Sequence, residues 1–209
     1  MPVDGPMPFD GTFAQLTAYV NEQEPGLGEV RLVAVDGPSG AGKTRFAARL
    51  AGESGGPVVH TDDLLDGWDD QFTFWERLEA RVLAPLRRGE TAFYQRYRWD
   101  RGAFDPEPVR LDPAPVVILE GVSSARRGIR PELSLIVFVD TPSELRLART
   151  LARDGDDSLA FRAYLERWRS AEDLHFADDR TRDHADLVVD GSAETTDDRF
   201  LMQRERWTP

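Results

Sequence analysis

Arg31-Leu-Val-Ala-Val-Asp-Gly-Pro-Ser-Gly-Ala-Gly-Lys-Thr44 is the stretch on which the fold turns. Its first six residues, Arg31–Asp36, form a compact apolar run of the length of a strand buried on both faces. The next eight, Gly37–Thr44, have the spacing G-x-x-x-x-G-K-[ST], and a helix is expected from about Lys43 to Ala51. Strand, glycine-rich turn and helix N-terminus in that order build an anion site. The glycines let backbone N–H groups turn inward, and the helix dipole favours negative charge. Lys43 is expected to reach the β- and γ-phosphates of a nucleotide and the Thr44 hydroxyl to bind Mg²⁺. Gly37, Ser39, Gly40, Ala41, Gly42 and Arg45 are expected to surround the phosphates.

Of the 26 basic residues in the 209-residue chain, 25 are arginine and one, Lys43, is lysine. A chain that uses arginine everywhere else keeps lysine inside the phosphate loop, where a compact point charge fits and a planar guanidinium does not. The net charge of −12 argues against a broad nucleic-acid surface. There are no cysteines, which excludes disulfides and thiolate metal sites. The longest apolar runs, such as Leu133–Val139, are too short to span a bilayer, and no signal peptide is evident. A cytoplasmic location without membrane partners follows as the expectation, with homo-oligomerisation left open.

Apolar strands alternate with helices outward from the loop. Val58–His60, Pro115–Leu119, Leu133–Val139 and Ala185–Val189 read as buried strands. Helices are expected near Phe13–Val20, over Phe74–Leu86, Ser143–Arg153 and Ser158–Leu174, and over Thr196–Trp207 at the C-terminus. Thr91–Asp100 and Pro108–Leu111 read as an antiparallel hairpin. The expected fold is α/β, a P-loop NTPase with a parallel sheet, helices on both faces and a small β-hairpin insertion at about 91–112. All 209 residues are expected in one such unit, with a loose arm over 1–11.

Ligands of open parallel sheets lie beyond the carboxyl ends of the strands. Four such ends carry acids: Asp36, Asp62-Asp63, Glu120 and Asp140. Asp62 is placed to accept a proton from an attacking hydroxyl, and Glu120 to organise the metal with Thr44 and Asp62. Asp36 and Asp63 read equally well as loop acids, and Asp140 as structural or near the adenine.

The glycine loop, the Asp-Asp pair, Ile118-Leu119-Glu120-Gly121, Val137–Thr141 and the segment His175–Gly191 follow one another in an order that resembles the uridine kinase family of P-loop small-molecule kinases. The likeness covers about residues 30–191. It implies that Asp62 is the catalytic base, with Thr44 and Glu120 around Mg²⁺. It puts the hairpin aromatics Tyr94, Tyr97 and Trp99 where the family holds its nucleoside, and Arg149 and Arg153 on the helix leading into the ATP lid, expected over about 149–160. That lid is short and acidic, because Arg153-Asp154 runs into Gly155-Asp-Asp-Ser158.

Other signals have plainer readings. Trp168 is expected in the core. His60, His175 and His184 lack metal-ligand spacing and read as structural hydrogen-bonders, and Arg126, Arg127 and Arg130 as solvated surface. The expected function is ATP- and Mg²⁺-dependent phosphoryl transfer to the hydroxyl of a small molecule, a nucleoside first. Arg98 and Arg101 favour an anionic acceptor instead, since a guanidinium binds carboxylate or phosphate bidentately. A regulatory ATP- or GTP-binding switch is the rival from another class.

Overall fold

The computed structural model describes residues 9–155 and 158–205. The chain enters through β1 (Phe9–Thr12) and α1 (Phe13–Glu22), then β2 (Arg31–Asp36), α2 (Lys43–Ser54) and β3 (Val58–His60). A 3₁₀ turn (Thr61–Leu64) leads to α3 (Trp75–Leu78), which continues through a π-helical turn (Glu79–Leu83) into α4 (Ala84–Arg87). The hairpin region holds β4 (Ala92–Tyr94), β5 (Tyr97–Arg98), β6 (Ala103–Phe104) and β7 (Val109–Leu111). Then come β8 (Val116–Glu120), β9 (Leu133–Asp140), α5 (Ser143–Asp154), α6 (Leu159–Asp179), α7 (Thr181–His184), β10 (Leu187–Asp190) and β11 (Arg199–Glu205).

Seven strands form one sheet in the order β1-β11-β10-β9-β2-β8-β3. The five from β10 to β3 are parallel, and β11 and β1 extend the sheet by antiparallel pairing. Alternate residues of the central strands feed two faces. Val33, Val35, Val116 and Ile118 pack with α1 and α2, whereas Leu32, Val117 and Leu119 pack with α3, α4 and the Tyr94 strand. Each such side chain fully withdrawn from water contributes about 1.5–3 kcal/mol, which is why the parallel strands are almost wholly apolar. Helix α1 starts sharply because Thr12 and Gln15 cap each other's backbone N–H groups.

Two terminal expectations are corrected. Residues 199–205 are a strand, not part of a helix, and residues 206–207 of that expected helix lie outside the described residues. Phe200 and Met202 alternate onto the apolar face beside Phe13 and Phe46, and the open edge of β10 supplies the ladder partners. Phe13, Phe46 and Phe200 meet with ring centroids 5.0–5.3 Å apart. Within the arm expected over 1–11, residues 9–11 belong to β1, paired with β11; residues 1–8 lie outside the described residues.

Register brings the chemistry to one rim. His60 lies opposite Glu120, Glu120 opposite Val35, and Asp36 opposite Phe138. The carboxyl ends of β2, β3, β8 and β9 therefore open together. The hairpin is two short ladders in series, β4–β7 and β5–β6. No helix among the described residues is long and apolar enough to cross a membrane.

Candidate active site

The phosphate loop runs from β2 into α2 and is held from beneath by Asp36. This fully buried carboxylate accepts backbone N–H bonds from Gly37 (2.7 Å), Ser123 (3.0 Å) and Ala125 (2.9 Å). Burial pushes its carboxyl up to about 7, opposed by those donors and by the Lys43 charge. Asp36 therefore ties the loop to the segment after β8 and does not line the cavities at the rim. Gly40 is required by shape: its φ is +76°, and a Cβ there would stand 2.5 Å from the Arg146 carbonyl.

Lys43 is 8% exposed, and its ammonium donates to the Pro38 carbonyl at 3.1 Å, so the loop curls around its own lysine. The next residue, Thr44, points its hydroxyl at Glu120 Oε1, 3.2 Å away. The other oxygen of Glu120 meets His60 Nδ1 at 2.6 Å, and this bond raises the His60 pKa. His60 is thus a structural hydrogen-bonder, as its spacing suggested, but it stands within the site. Thr44, Glu120 and Asp62 converge on one cavity of about 260 Å³ with Ser39, Gly40, Gly42, Lys43, Arg45, Arg149 and Arg153. Ala41 lies behind it, its carbonyl accepting the Thr141 hydroxyl at 2.9 Å.

A second cavity, about 280 Å³, adjoins the first through Gly42, Arg45 and Arg149 and is bounded by Val139, Asp190 and Gly191. A third, of about 700 Å³, shares Ser39, Thr44, Asp62, Glu120, Thr150 and Arg153 with the phosphate-loop cavity. Three Trp indoles wall it: Trp68, Trp99 and Trp168. Trp68 packs on the other two, with centroids at 4.6 and 5.6 Å.

Asp62 stands where the first and third cavities meet. Its side chain is solvent-accessible but sits deep in the cleft, where protein atoms displace bulk water. That desolvation lifts its carboxyl, Lys43 pulls the other way, and Glu120 adds to the rise. The 3₁₀ turn carrying it nests on Gly121, where an added Cβ would fall 1.8 Å from the Thr61 hydroxyl. The hairpin closes over this turn: the Trp99 indole donates to the Asp62 carbonyl at 3.3 Å, and Arg96 pairs with Asp63 at 3.0 Å.

The other hairpin residues sort differently from their sequence reading. Tyr94 is 3% exposed and belongs to the core, because β4 turns it inward against the helical face. Tyr97 is half-buried and buttresses Trp99 at 5.1 Å without itself lining the large cavity. Arg98 pairs with Asp100 and Asp105, and Arg101 with Asp100; these local acids hold both arginines at the hairpin tip, outside the cavities. Asp140 pairs with Arg182, a structural bond. Arg126 covers the Trp75 ring, while Arg127 and Arg130 bind Asp178 and Asp179, fastening the loop after β8 to α6.

Several residues of the large cavity carry no local sequence signal. Trp68, Arg146, Thr150, Phe161, Leu165 and Arg169 reach it from three separate segments. Trp168 is among its walls and not in the core interior, because its indole N–H is engaged at the loop by Ser39 and Glu172. Helix α5, which enters the segment expected as a lid, ends at Asp154 with Gly155 as its cap; residues 156–157 of that segment lie outside the described residues.

The sequence profile of the phosphoribulokinase / uridine kinase family matches residues 65–190. A uridine kinase from Staphylococcus epidermidis is 24% identical over 185 residues, spanning 78% of this chain and 88% of its own. One from Brevibacillus brevis is 28% identical over 145 residues, spanning 61% and 68%. A solved structure described as a possible uridine kinase from Bacillus stearothermophilus shares the fold with a TM-score of 0.61 at 20% identity, covering 84% of this chain and 96% of its own.

Proposed function

The chain belongs to the phosphoribulokinase / uridine kinase family, and on that premise we propose that it transfers the γ-phosphate of ATP to a hydroxyl of a small molecule held in the 700 Å³ cavity, a uridine- or cytidine-like nucleoside first. The observation that carries this reading is the position of Asp62, which lines both the phosphate-loop cavity and the large one. A base at that junction can take the proton of an acceptor hydroxyl as the oxygen approaches phosphorus. The 280 Å³ cavity beyond Arg45 and Arg149 is the place for the nucleotide base. Lys43 and Arg153 offset phosphate charge. Catalysis is then mainly positioning and charge stabilisation.

The donor set suits Mg²⁺. Thr44 and Glu120 are within hydrogen-bond distance of each other, and no cluster of three or more acids or histidines among the described residues forms a metal cage. Mg²⁺ typically keeps several waters and takes only one or two protein groups beside substrate phosphates. Thr44, with Glu120 and Asp62 through water, would hold it, and bound there it supplies charge neutralisation. Phosphoryl transfer is expected to stop in excess chelator and to return on adding Mg²⁺; full turnover in chelator would remove the metal from this account.

The acceptor is tested by following ATP consumption and product mass across nucleosides, nucleotides, vitamins and sugar alcohols. Phosphorylation of uridine or cytidine supports the nucleoside reading. A second reading, an anionic acceptor, draws on Arg146 and Arg169, which line the large cavity and each keep a buried guanidinium nitrogen without a hydrogen-bond partner. Turnover confined to anionic acceptors would favour it. Nucleotide binding with no acceptor phosphorylated would favour the regulatory switch instead.

A further inference from the structure

Glu172 lies on α6, far in sequence from the phosphate loop, and none of its surface is exposed. Its carboxylate accepts the Ser39 backbone N–H at 3.1 Å, the Ser39 hydroxyl, and the Trp168 indole N–H at 2.9 Å. The Trp168 N–H also reaches the Ser39 hydroxyl at 3.3 Å, which closes a triangle. All three donors are neutral. A carboxylate buried among neutral donors is a costly choice of side chain for stability alone, because burying a charge costs a lot unless it is paired as well as hydrogen-bonded. Its bonds do, however, join two functional surfaces. Ser39 lines both the phosphate-loop cavity and the large one, and Trp168 lines the large one. Arg146, on the same wall, senses the Glu172 charge.

We propose that Glu172 is a positioning residue for phosphoryl transfer: it sets the Ser39 segment of the phosphate loop and ties it to Trp168 in the wall of the acceptor cavity, so that one carboxylate aligns donor and acceptor. This rests on the reading that Gly37–Thr44 holds nucleotide phosphates. Glu172 touches neither reactant and acts through Ser39. Because the link passes through Trp168, a change on the acceptor wall is felt at the donor site.

The test is calorimetric titration of ADP·Mg²⁺ into the full chain, with the thermal midpoint of each variant alongside. Glu172→Leu leaves the Ser39 and Trp168 N–H groups without their acceptor, so it is expected to melt below the wild-type temperature while still folding, and to bind ADP·Mg²⁺ about ten-fold more weakly, the scale of one hydrogen bond to a charged group. Glu172→Gln keeps one strong acceptor for the Ser39 N–H and is expected to fall between the two. Trp168→Phe keeps the ring, removes the N–H, and is expected to weaken ADP·Mg²⁺ about three-fold although the ring faces the other cavity. Packing alone predicts no such selective loss. Glu172→Leu binding within two-fold of wild type overturns the proposal, as does an equal loss of affinity in Leu86→Ala, a core variant that lowers the thermal midpoint without touching the site. Unchanged binding in Trp168→Phe overturns the tie to the acceptor wall. If Glu172→Leu does not fold, Glu172→Gln decides, and wild-type affinity in it overturns the proposal. A wild-type chain with no affinity for ADP·Mg²⁺ fails at the earlier step and sinks the nucleotide-site reading itself.

Discussion

The Lys43→Ala variant is expected to fold and to bind ATP·Mg²⁺ at least about 10²-fold more weakly than wild type, beyond the range of an ordinary titration. A hydrogen bond to a charged group contributes about 1.5–3 kcal/mol, and a lysine reaching two phosphates makes more than one. The surroundings add to the loss. Asp36 and Asp62 both feel the Lys43 charge, and Glu120 stands beside Thr44 in the same cavity. Without its cation the cavity presents Asp62 and Glu120 to a polyanion. Folding is spared because the ammonium's own bond is to the Pro38 carbonyl within the loop, and the apolar clusters do not include Lys43. Calorimetry with a thermal melt checks both halves. A folded variant with near wild-type affinity would mean that the nucleotide binds elsewhere.

The second large effect separates binding from chemistry. Asp62→Asn is expected to keep ATP affinity within a few-fold and to lower phosphoryl transfer by about 10²–10⁴, the usual contribution of a positioned base. The amide nearly matches the carboxylate in shape, so the turn on Gly121 and the Trp99 bond to the Asp62 carbonyl have no reason to move. A base must be deprotonated to act. Desolvation raises the Asp62 pKa, so wild-type activity should fall as pH drops through that raised value, and the acidic limb should vanish in the variant. Single-turnover rates with a chosen acceptor over a pH series make the measurement. A variant keeping most of its activity would pass the role to Asp63 or another acid.

Local physics wrote some of this into the sequence. The sheet could be read because strands buried on both faces must be apolar throughout, and Arg31–Asp36, Val58–His60, Val116–Glu120 and Leu133–Asp140 are nearly so. The C-terminal strand could not: Phe200 and Met202 suit a strand only because β10 offers an edge and α1 and α2 offer an apolar face. The hairpin's existence was legible, but which of its aromatics faces the cavity was not. That depends on how the ladder docks, with Tyr94 turned into the core and Trp99 over Asp62.

By itself the sequence determined that this chain builds a nucleotide-phosphate loop at the end of a parallel strand, with acids at neighbouring strand ends. Glycine spacing, a single lysine and strand periodicity are short-range properties that each residue carries with it. Only the tertiary structure decided what surrounds that loop. Trp68, Arg146 and the α6 pair Trp168 and Glu172 come from three separate segments and meet because α5 and α6 fold back across the rim. Glu172 did leave a trace, an acid in step with Leu165 and Trp168 on the inward stripe of α6. A helix stripe shows which way a side chain turns but not what it will meet, and the partner here is Ser39, 133 residues away.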